Sequence, residues 1–211
     1  MDNIVIIDYG AGNIQSVENA LKYFDIKYKV TNNKEDISNS SGIILPGVGA
    51  FGSAMEKINN LDLLKCLTDE VIKKKKPFLG ICLGFQLLFE TSDESLGVKG
   101  FGWLNGSVKA ITCTNKLPHV GWNNLESINA ASELFQNIVS TVDFYFDHSF
   151  HVVCDDKYIT SKVEIIKDSF SVASVECDNI FAVQFHPEKS QQYGLNVVKN
   201  FINIIEKNIK C

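Results

Sequence analysis

Apolar and polar residues follow two different rhythms along this chain. In the first half, short β-branched runs are separated by stretches whose apolar positions recur every three to four residues. "NIVIID" (Asn3 to Asp8) reads as a buried strand, "YGAGN" as the tight loop after it, and Ser16 to Phe24 has helical spacing. "KYKV" (Lys27 to Val30) gives a second strand, and "GIILPG" (Gly42 to Gly47) a third that ends in a Pro/Gly turn. Ala50 to Lys75 reads as helix with a break near Asn59–Asn60, "PFLGI" (Pro77 to Ile81) as a fourth strand, and Leu83 to Glu90 as a helix. Strands alternating with helices predict βαβ units and a largely parallel sheet.

The rhythm changes after about residue 100. From Gly106 to Gln184 the runs are short and strand-like: "GSVKAI", "GWNNL", "DFYFDHSF", "YITSKV", "FSVASVE" and "IFAVQF". They predict antiparallel strands added to the parallel half. "GLNVVKNFINIIEKNIK" closes the chain as an amphipathic helix. The expected fold is therefore α/β, a single domain with an open mixed sheet and helices on both faces. Its functional loops belong at the carboxyl ends of the parallel strands.

Composition narrows the classes. The 211 residues are 45% hydrophobic with mean hydropathy +0.02, which fits one soluble globular domain with a sizeable core. A net charge of −5 and a pI near 5.4 leave no basic footprint for nucleic acid. The one marked charge run, Lys73 to Lys76, reads as a solvated helix end. "MDNIVIIDYG" lacks the basic region and long apolar stretch of a signal peptide, and no run has membrane-spanning length, so a cytoplasmic location is expected. The six cysteines include no CxxC pair and no metal-ligand spacing, so no metal or cofactor is expected. Cys66, Cys113, Cys154, Cys177 and Cys211 read as structural thiols.

Cys82 is different. Gly80-Ile81-Cys82-Leu83-Gly84 falls where a strand turns into a helix, the context of a nucleophile elbow. Such a turn is sharp enough to need small neighbours. It stands the thiol above the sheet edge and aims the Leu83 amide and the helix N-terminus at it. The same five residues also suit a small buried hydrophobe in a βα turn. A nucleophilic cysteine needs a base with an orienter. His186 closes the apolar run Phe181 to Phe185, Pro187 stops the strand, and Glu188 returns two residues later, where it can fix the imidazole tautomer. "LPGVGAFG" (Leu45 to Gly52) adds a Gly-Val-Gly turn after a strand. Its amides suit a tetrahedral oxyanion better than a phosphate, because the spacing matches no P-loop.

With these residues in view, the chain resembles the class I (triad-type) glutamine amidotransferases, and among them the glutaminase subunits of imidazole glycerol phosphate synthases. The likeness spans the whole chain. It rests on "DYGAGN", "PGVGAFG", "GICLGFQLLFE", "LPHVGWN" (Leu117 to Asn123), "YFDHSF" (Tyr145 to Phe150) and "QFHPEKS". The resemblance implies one amidotransferase domain over residues 1–211 with a flavodoxin-like core. It implies that Cys82 attacks the glutamine side-chain amide, that His186 moves the proton, that Glu188 orients His186, and that the amides of Gly47, Val48, Gly49 and Leu83 hold the oxyanion. Gln86, Glu94 and Ser149 would contact glutamine, with Glu94 suited to the α-ammonium group. The implied partner is a (β/α)8 synthase subunit that receives the ammonia, with Asn13, Trp122, Tyr145 and Lys189 at the interface. The family also implies an oxyanion loop completed only when that partner binds its own ligand.

Two departures stand out: Asp147 where the family commonly has an apolar residue, and Phe150 where Tyr is common. "LGVKGFGWLNG" also resembles relatives that feed ammonia to enzymes making amidino sugars of surface glycans, which share every catalytic motif. A non-catalytic module on this fold would lack Cys82 or His186, and an α/β hydrolase would lack the His-Pro-Glu after the last strand.

Overall fold

The computed structural model describes residues 4–112, 117–166 and 168–210. β1 (Ile4–Ile7) is four buried aliphatic residues, and α1 (Ile14–Tyr23) buries Val17, Ala20 and Leu21. β2 (Tyr28–Thr31) leads to α2 (Lys34–Asn39), a six-residue helix that hydropathy alone does not reveal. Only Ile37 of it is buried, and the helix starts because the Asn33 side chain accepts from the backbone N–H groups of Glu35 and Asp36. β3 (Gly42–Gly47) is buried throughout. The expected 50–75 helix is α3 (Phe51–Asn60), then α4 (Leu63–Thr68) running into a π turn at Asp69–Lys73; the break falls at Leu61–Asp62, with Asp62 left-handed (φ 51°).

β4 (Phe78–Cys82) passes directly into α5 (Leu83–Gln86), which stops four residues short of the expected Glu90. The cause is the returning segment at 100–104. Its N–H groups from Phe101, Trp103 and Gly102 donate to the carbonyls of Leu87, Leu88 and Phe89 and draw the chain off the helix into β5 (Thr91–Ser92). The remaining elements are β6 (Gly106–Ala110), β7 (His119–Asn124), β8 (Ser127–Ile128), β9 (Asp143–His148), β10 (Phe150–Cys154), β11 (Ile159–Ile166), β12 (Ser169–Cys177), β13 (Ile180–Val183) and α6 (Gln191–Lys210).

Eight strands form the main sheet in the order β2-β1-β3-β4-β13-β12-β11-β8. The first five are parallel, and counted along the chain their order is 2-1-3-4-5, the flavodoxin-like arrangement. α1 and α6 cover one face, and α2, α3 and α4 the other. The second half departs from the expected simple extension. β8, β11 and β12 join the main sheet antiparallel, but β10-β6-β5 and β7-β9 form two small sheets of their own. The run "DFYFDHSF" is divided between them at Ser149, whose carbonyl accepts from Ile111 N.

The lysine run is less solvated than expected. Lys73 and Lys74 pair with Asp69 and Glu70 one helical turn back, whereas Lys76 turns inward onto Glu70 Oε2 at 3.0 Å and donates to the carbonyls of Ile37 and Ser38. Cys66, Cys154 and Cys177 are half-buried thiols against the core; Cys113 and Cys211 lie outside the described residues. Among the described residues no helix is long and apolar enough to cross a membrane.

A Cβ on Gly84 would overlap the Leu45 carbonyl of β3, with backbone on both sides of the clash. Gly84→Ala is therefore expected to lose about 3 kcal/mol or more in denaturant unfolding. Gly97→Ala, where a left-handed backbone (φ 81°) faces open space, should lose only about 1 kcal/mol.

Candidate active site

Three neighbouring strands, β3, β4 and β13, end side by side, and the polar residues expected from the sequence gather at those ends. Gly47 of β3 pairs with Cys82 of β4, and Val183 of β13 with Ile81. Cys82 has φ 53° and ψ −106°, a conformation sparsely populated by side-chain-bearing residues. The surroundings hold it there. A Cβ on Gly80 would stand 2.7 Å from Gly84 O, and one on Gly47 2.6 Å from the Tyr9 hydroxyl and 2.8 Å from Leu83 Cβ. The glycines thus let β3, β4 and α5 approach backbone to backbone, and the thiol is lifted to the floor of a cavity of about 430 Å³. Of the two readings of "GICLG", the elbow is the one the backbone adopts.

His186 is 2% exposed and lines the same cavity. Its Nδ1 lies 2.8 Å from Glu188 Oε1, brought back by the 3-10 turn Pro187–Lys189. With Nδ1 committed to the carboxylate, Nε2 is the ring nitrogen left free to exchange a proton with Cys82, which lines the same cavity. Burial disfavours the imidazolium, but the hydrogen bonds to Cys82 and Glu188 and the charges of both outweigh it, and the His186 pKa is pushed up to about 10. The second Glu188 oxygen, Oε2, is buried with no hydrogen-bond partner among the described residues. A thiol, an imidazole and a carboxylate in this order can generate a thiolate, carry a proton to a leaving group and return it from water.

The remaining predicted residues divide by place. Val48, Gly49 and Leu83 border the cavity, and the Leu83 N–H, at the first position of α5, has no intrahelical acceptor. Gln86, Glu94 and Ser149 also line it. Gln86 spends its amide nitrogen on Phe150 O (3.3 Å) and Gln184 Oε1 (3.0 Å), so Oε1 is what it can offer a ligand. Glu94 Oε2 accepts from Phe51 N at 2.7 Å and so caps α3 from a distance. Asp147 is exposed at the cavity mouth, and Phe150 is half-buried in its wall. Trp122 and Tyr145 face each other across β7 and β9 with ring centroids 6.0 Å apart, and the Lys189 ammonium lies 5.2 Å from the Tyr145 ring centroid. Trp122 is 48% exposed. Asn13 occupies the N-cap position of α1, which packs against the Pro187–Lys189 turn.

Sequence reasoning missed three buried residues here, Gln184, His148 and Tyr9, and the half-buried His119. Gln184 Nε2 lies 3.7 Å from Cys82 Sγ. His148 and His119 are joined through Nε2 and Nδ1 at 2.9 Å, and burial pushes the His148 pKa down to about 3. The Tyr9 hydroxyl is buried beneath Gly47 without a partner among the described residues, and burial, then the Cys82 charge, pushes its pKa upward. Gln184 and His148 each interrupt an apolar strand run, which is the one trace they leave in the sequence.

A strained cysteine at a strand-to-helix elbow, with a histidine and a carboxylate that follow the next parallel strand, is an arrangement chemically suited to thiol-dependent acyl transfer. The chain belongs to the family described as Glutamine amidotransferase class-I, whose profile matches residues 5–204. It is 45% identical to a protein of Methanocaldococcus jannaschii named imidazole glycerol phosphate synthase subunit HisH, over 96% of this chain and 100% of that one. It is 44% identical to imidazole glycerol phosphate synthase subunit HisH 2 of Vibrio vulnificus, over 96% of this chain and 95% of that one. In fold it matches a crystal structure of a glutamine amidotransferase (TM-score 0.75, 16% identity, 96% of this chain and 98% of that one). It also matches a chain of the PurLQS structure from Thermotoga maritima (TM-score 0.69, 20% identity, 97% of this chain and 100% of that one).

His186 should keep its proton through neutral pH and lose it only as the pH nears about 10, as read by ¹⁵N-histidine NMR. Glu188→Gln and Cys82→Ala each remove one stabilising charge and should lower that midpoint by about one unit or more; a midpoint near the ordinary value in the unmodified chain would contradict the pairing.

Proposed function

We propose that this chain is the glutaminase subunit of an imidazole glycerol phosphate synthase. The observation that carries the reading is Cys82 and His186 lining one cavity, with Glu188 bonded behind His186 at 2.8 Å and Cys82 held in its strained turn. Cys82 Sγ attacks the side-chain carbonyl carbon of glutamine. The oxygen becomes an anion among the amides of Gly47, Val48, Gly49 and Leu83. The intermediate collapses, the C–N bond breaks, and His186 delivers its proton to the departing ammonia. Water, deprotonated by His186, then cleaves the thioester and releases glutamate. Glu188 fixes the imidazole tautomer throughout. Glu94 takes the α-ammonium group, with Gln86 Oε1 and Ser149 completing the contacts to glutamine.

The ammonia passes to a (β/α)8 synthase subunit, which inserts it into a phosphorylated ribulosyl-aminoimidazole intermediate. The products are imidazole glycerol phosphate and the aminoimidazole carboxamide ribotide of histidine biosynthesis. The two subunits form a cytoplasmic heterodimer, with the strip of Trp122, Tyr145 and Lys189, and Asn13 beside it, at the joint. The names of the relatives favour this acceptor over an amidino-sugar pathway.

Cys82→Ala or His186→Ala should lower glutamine hydrolysis by about 10³-fold or more, while the partner still turns over with added ammonium. Glutaminase activity persisting in Cys82→Ala sinks the mechanism. The purified subunit alone should be nearly inactive and respond to the partner's ribulosyl ligand; stimulation by a sugar substrate instead would redirect the ammonia. Trp122→Ala should weaken association with the synthase subunit by about tenfold or more in titration calorimetry.

A further inference from the structure

We propose that Gln184 is a positioning residue for Cys82, its side-chain amide held so that a donor, never an acceptor, faces the sulfur. The inference rests on the reading of Cys82 as the nucleophile and extends it to a residue that reading leaves idle. Gln184 is fully buried at the end of β13, and its backbone N–H donates to Ala173 O at 2.8 Å. Its Nε2 lies 3.7 Å from Cys82 Sγ. An amide has two nearly isosteric ends with opposite effects here. The NH₂ end stabilises a thiolate by hydrogen bonding, and the C=O end repels it.

The neighbours choose the end. Gln184 Oε1 accepts from Gln86 Nε2 at 3.0 Å, which turns the NH₂ of Gln184 toward the sulfur. Gln86 could itself be turned over, but its Nε2 also donates to Phe150 O at 3.3 Å, and a backbone carbonyl can only accept. Phe150 O thus fixes Gln86, and Gln86 fixes Gln184. The same carbonyl accepts from His148 Nδ1 at 2.8 Å, so that nitrogen carries the proton and His148 Nε2 accepts from His119 Nδ1. The polarity of the whole chain is set from a main-chain atom outward. On the other side of the sulfur stands Asp147 O at 3.9 Å, an acceptor that suits the thiol and not the thiolate. Among side chains of the described residues, the one that donates a hydrogen bond to the sulfur is Gln184.

The titratable groups around the sulfur are His186 and Glu188 after β13, Tyr9 after β1, Glu94 after β5, and Asp147 and His148 of β9; the test alters none of them. The test is the pH dependence of Cys82 alkylation by iodoacetamide on the full chain, resolved from the other thiols by peptide mass spectrometry. Gln184→Met, which keeps the shape and removes the donor, should displace the Cys82 alkylation profile to higher pH by about one unit. Gln184→Glu, which faces the sulfur with a carboxylate, should move it further. In the complex, the loss in Gln184→Met should fall on kcat and leave KM nearly unchanged, because Gln184 does not line the cavity. If a Gln184 variant fails to fold by circular dichroism, Gln86→Met carries the same test, since it frees the Gln184 amide to turn over. An unchanged Cys82 profile in the folded variants overturns the assignment. That result leaves the glutaminase reading intact, which stands or falls on Cys82→Ala.

Discussion

The site depends on how closely three stretches of main chain approach at the end of β4. Gly84 lies against Leu45 of β3, Gly80 against Gly84, and Gly47 against Leu83 and the Tyr9 hydroxyl, each with no room for a Cβ. That crowding leaves Cys82 one backbone conformation, the left-handed one with φ 53°. The strain of about 1–3 kcal/mol is held locally by packing on every side. Adjacent strands lie about 4.8 Å apart, so residues leaving the ends of β3, β4 and β13 are already at the spacing of reacting groups. The parallel sheet therefore sets the distances between oxyanion turn, thiol and imidazole, and the loops only aim them.

The antiparallel additions serve that arrangement from above. The β7–β9 ribbon is tied to the turn at His186 by two bonds from main-chain donors: His186 N donates to Tyr145 O at 2.9 Å, and Tyr145 N donates to the Ser190 side-chain Oγ, also at 2.9 Å. Tyr145, which faces the exposed Trp122 and carries the Lys189 contact, is thereby bonded directly to His186. His119 on the same ribbon starts the buried chain that ends at the Cys82 sulfur. Anything that presses on this ribbon bears on both partners of the thiol.

Much of the parallel half was legible because its strands are β-branched runs bounded by Gly and Pro. The Gly42–Gly47 strand has the bounds that hydropathy assigns it. α2 was not legible, because one buried residue sets no periodicity and the helix owes its start to the Asn33 cap. α5 reads longer in sequence than it is, since the bonds that end it come from residues at 100–104. The same division holds at the site. Cys82, His186 and Glu188 announce themselves because each sits at the end of an apolar run with small or rigid neighbours. Gln184 does not, since its meaning lies in Gln86, 98 residues away, and in a carbonyl that no side-chain pattern encodes.

The members of the site are not held equally. The Cys82, His186 and Glu188 side chains are buried, His186 is bonded to Glu188, and the His186 main chain is tied to Tyr145. The turn that follows β3 is not. Val48 is 41% exposed, and Gly49, at φ 98°, has open space where a side chain would stand. A glycine facing open space can change its backbone angles at little cost, whereas the elbow cannot move without breaking the contacts around Gly84. If activity answers to a partner, the physical place for that response is the Gly47–Val48–Gly49 turn. The thiol and its base would then stay assembled in the idle enzyme, and the missing component would be an oriented amide for the oxyanion. Control of this kind would act on the barrier to attack more than on glutamine binding, because an oriented oxyanion donor counts chiefly in the transition state.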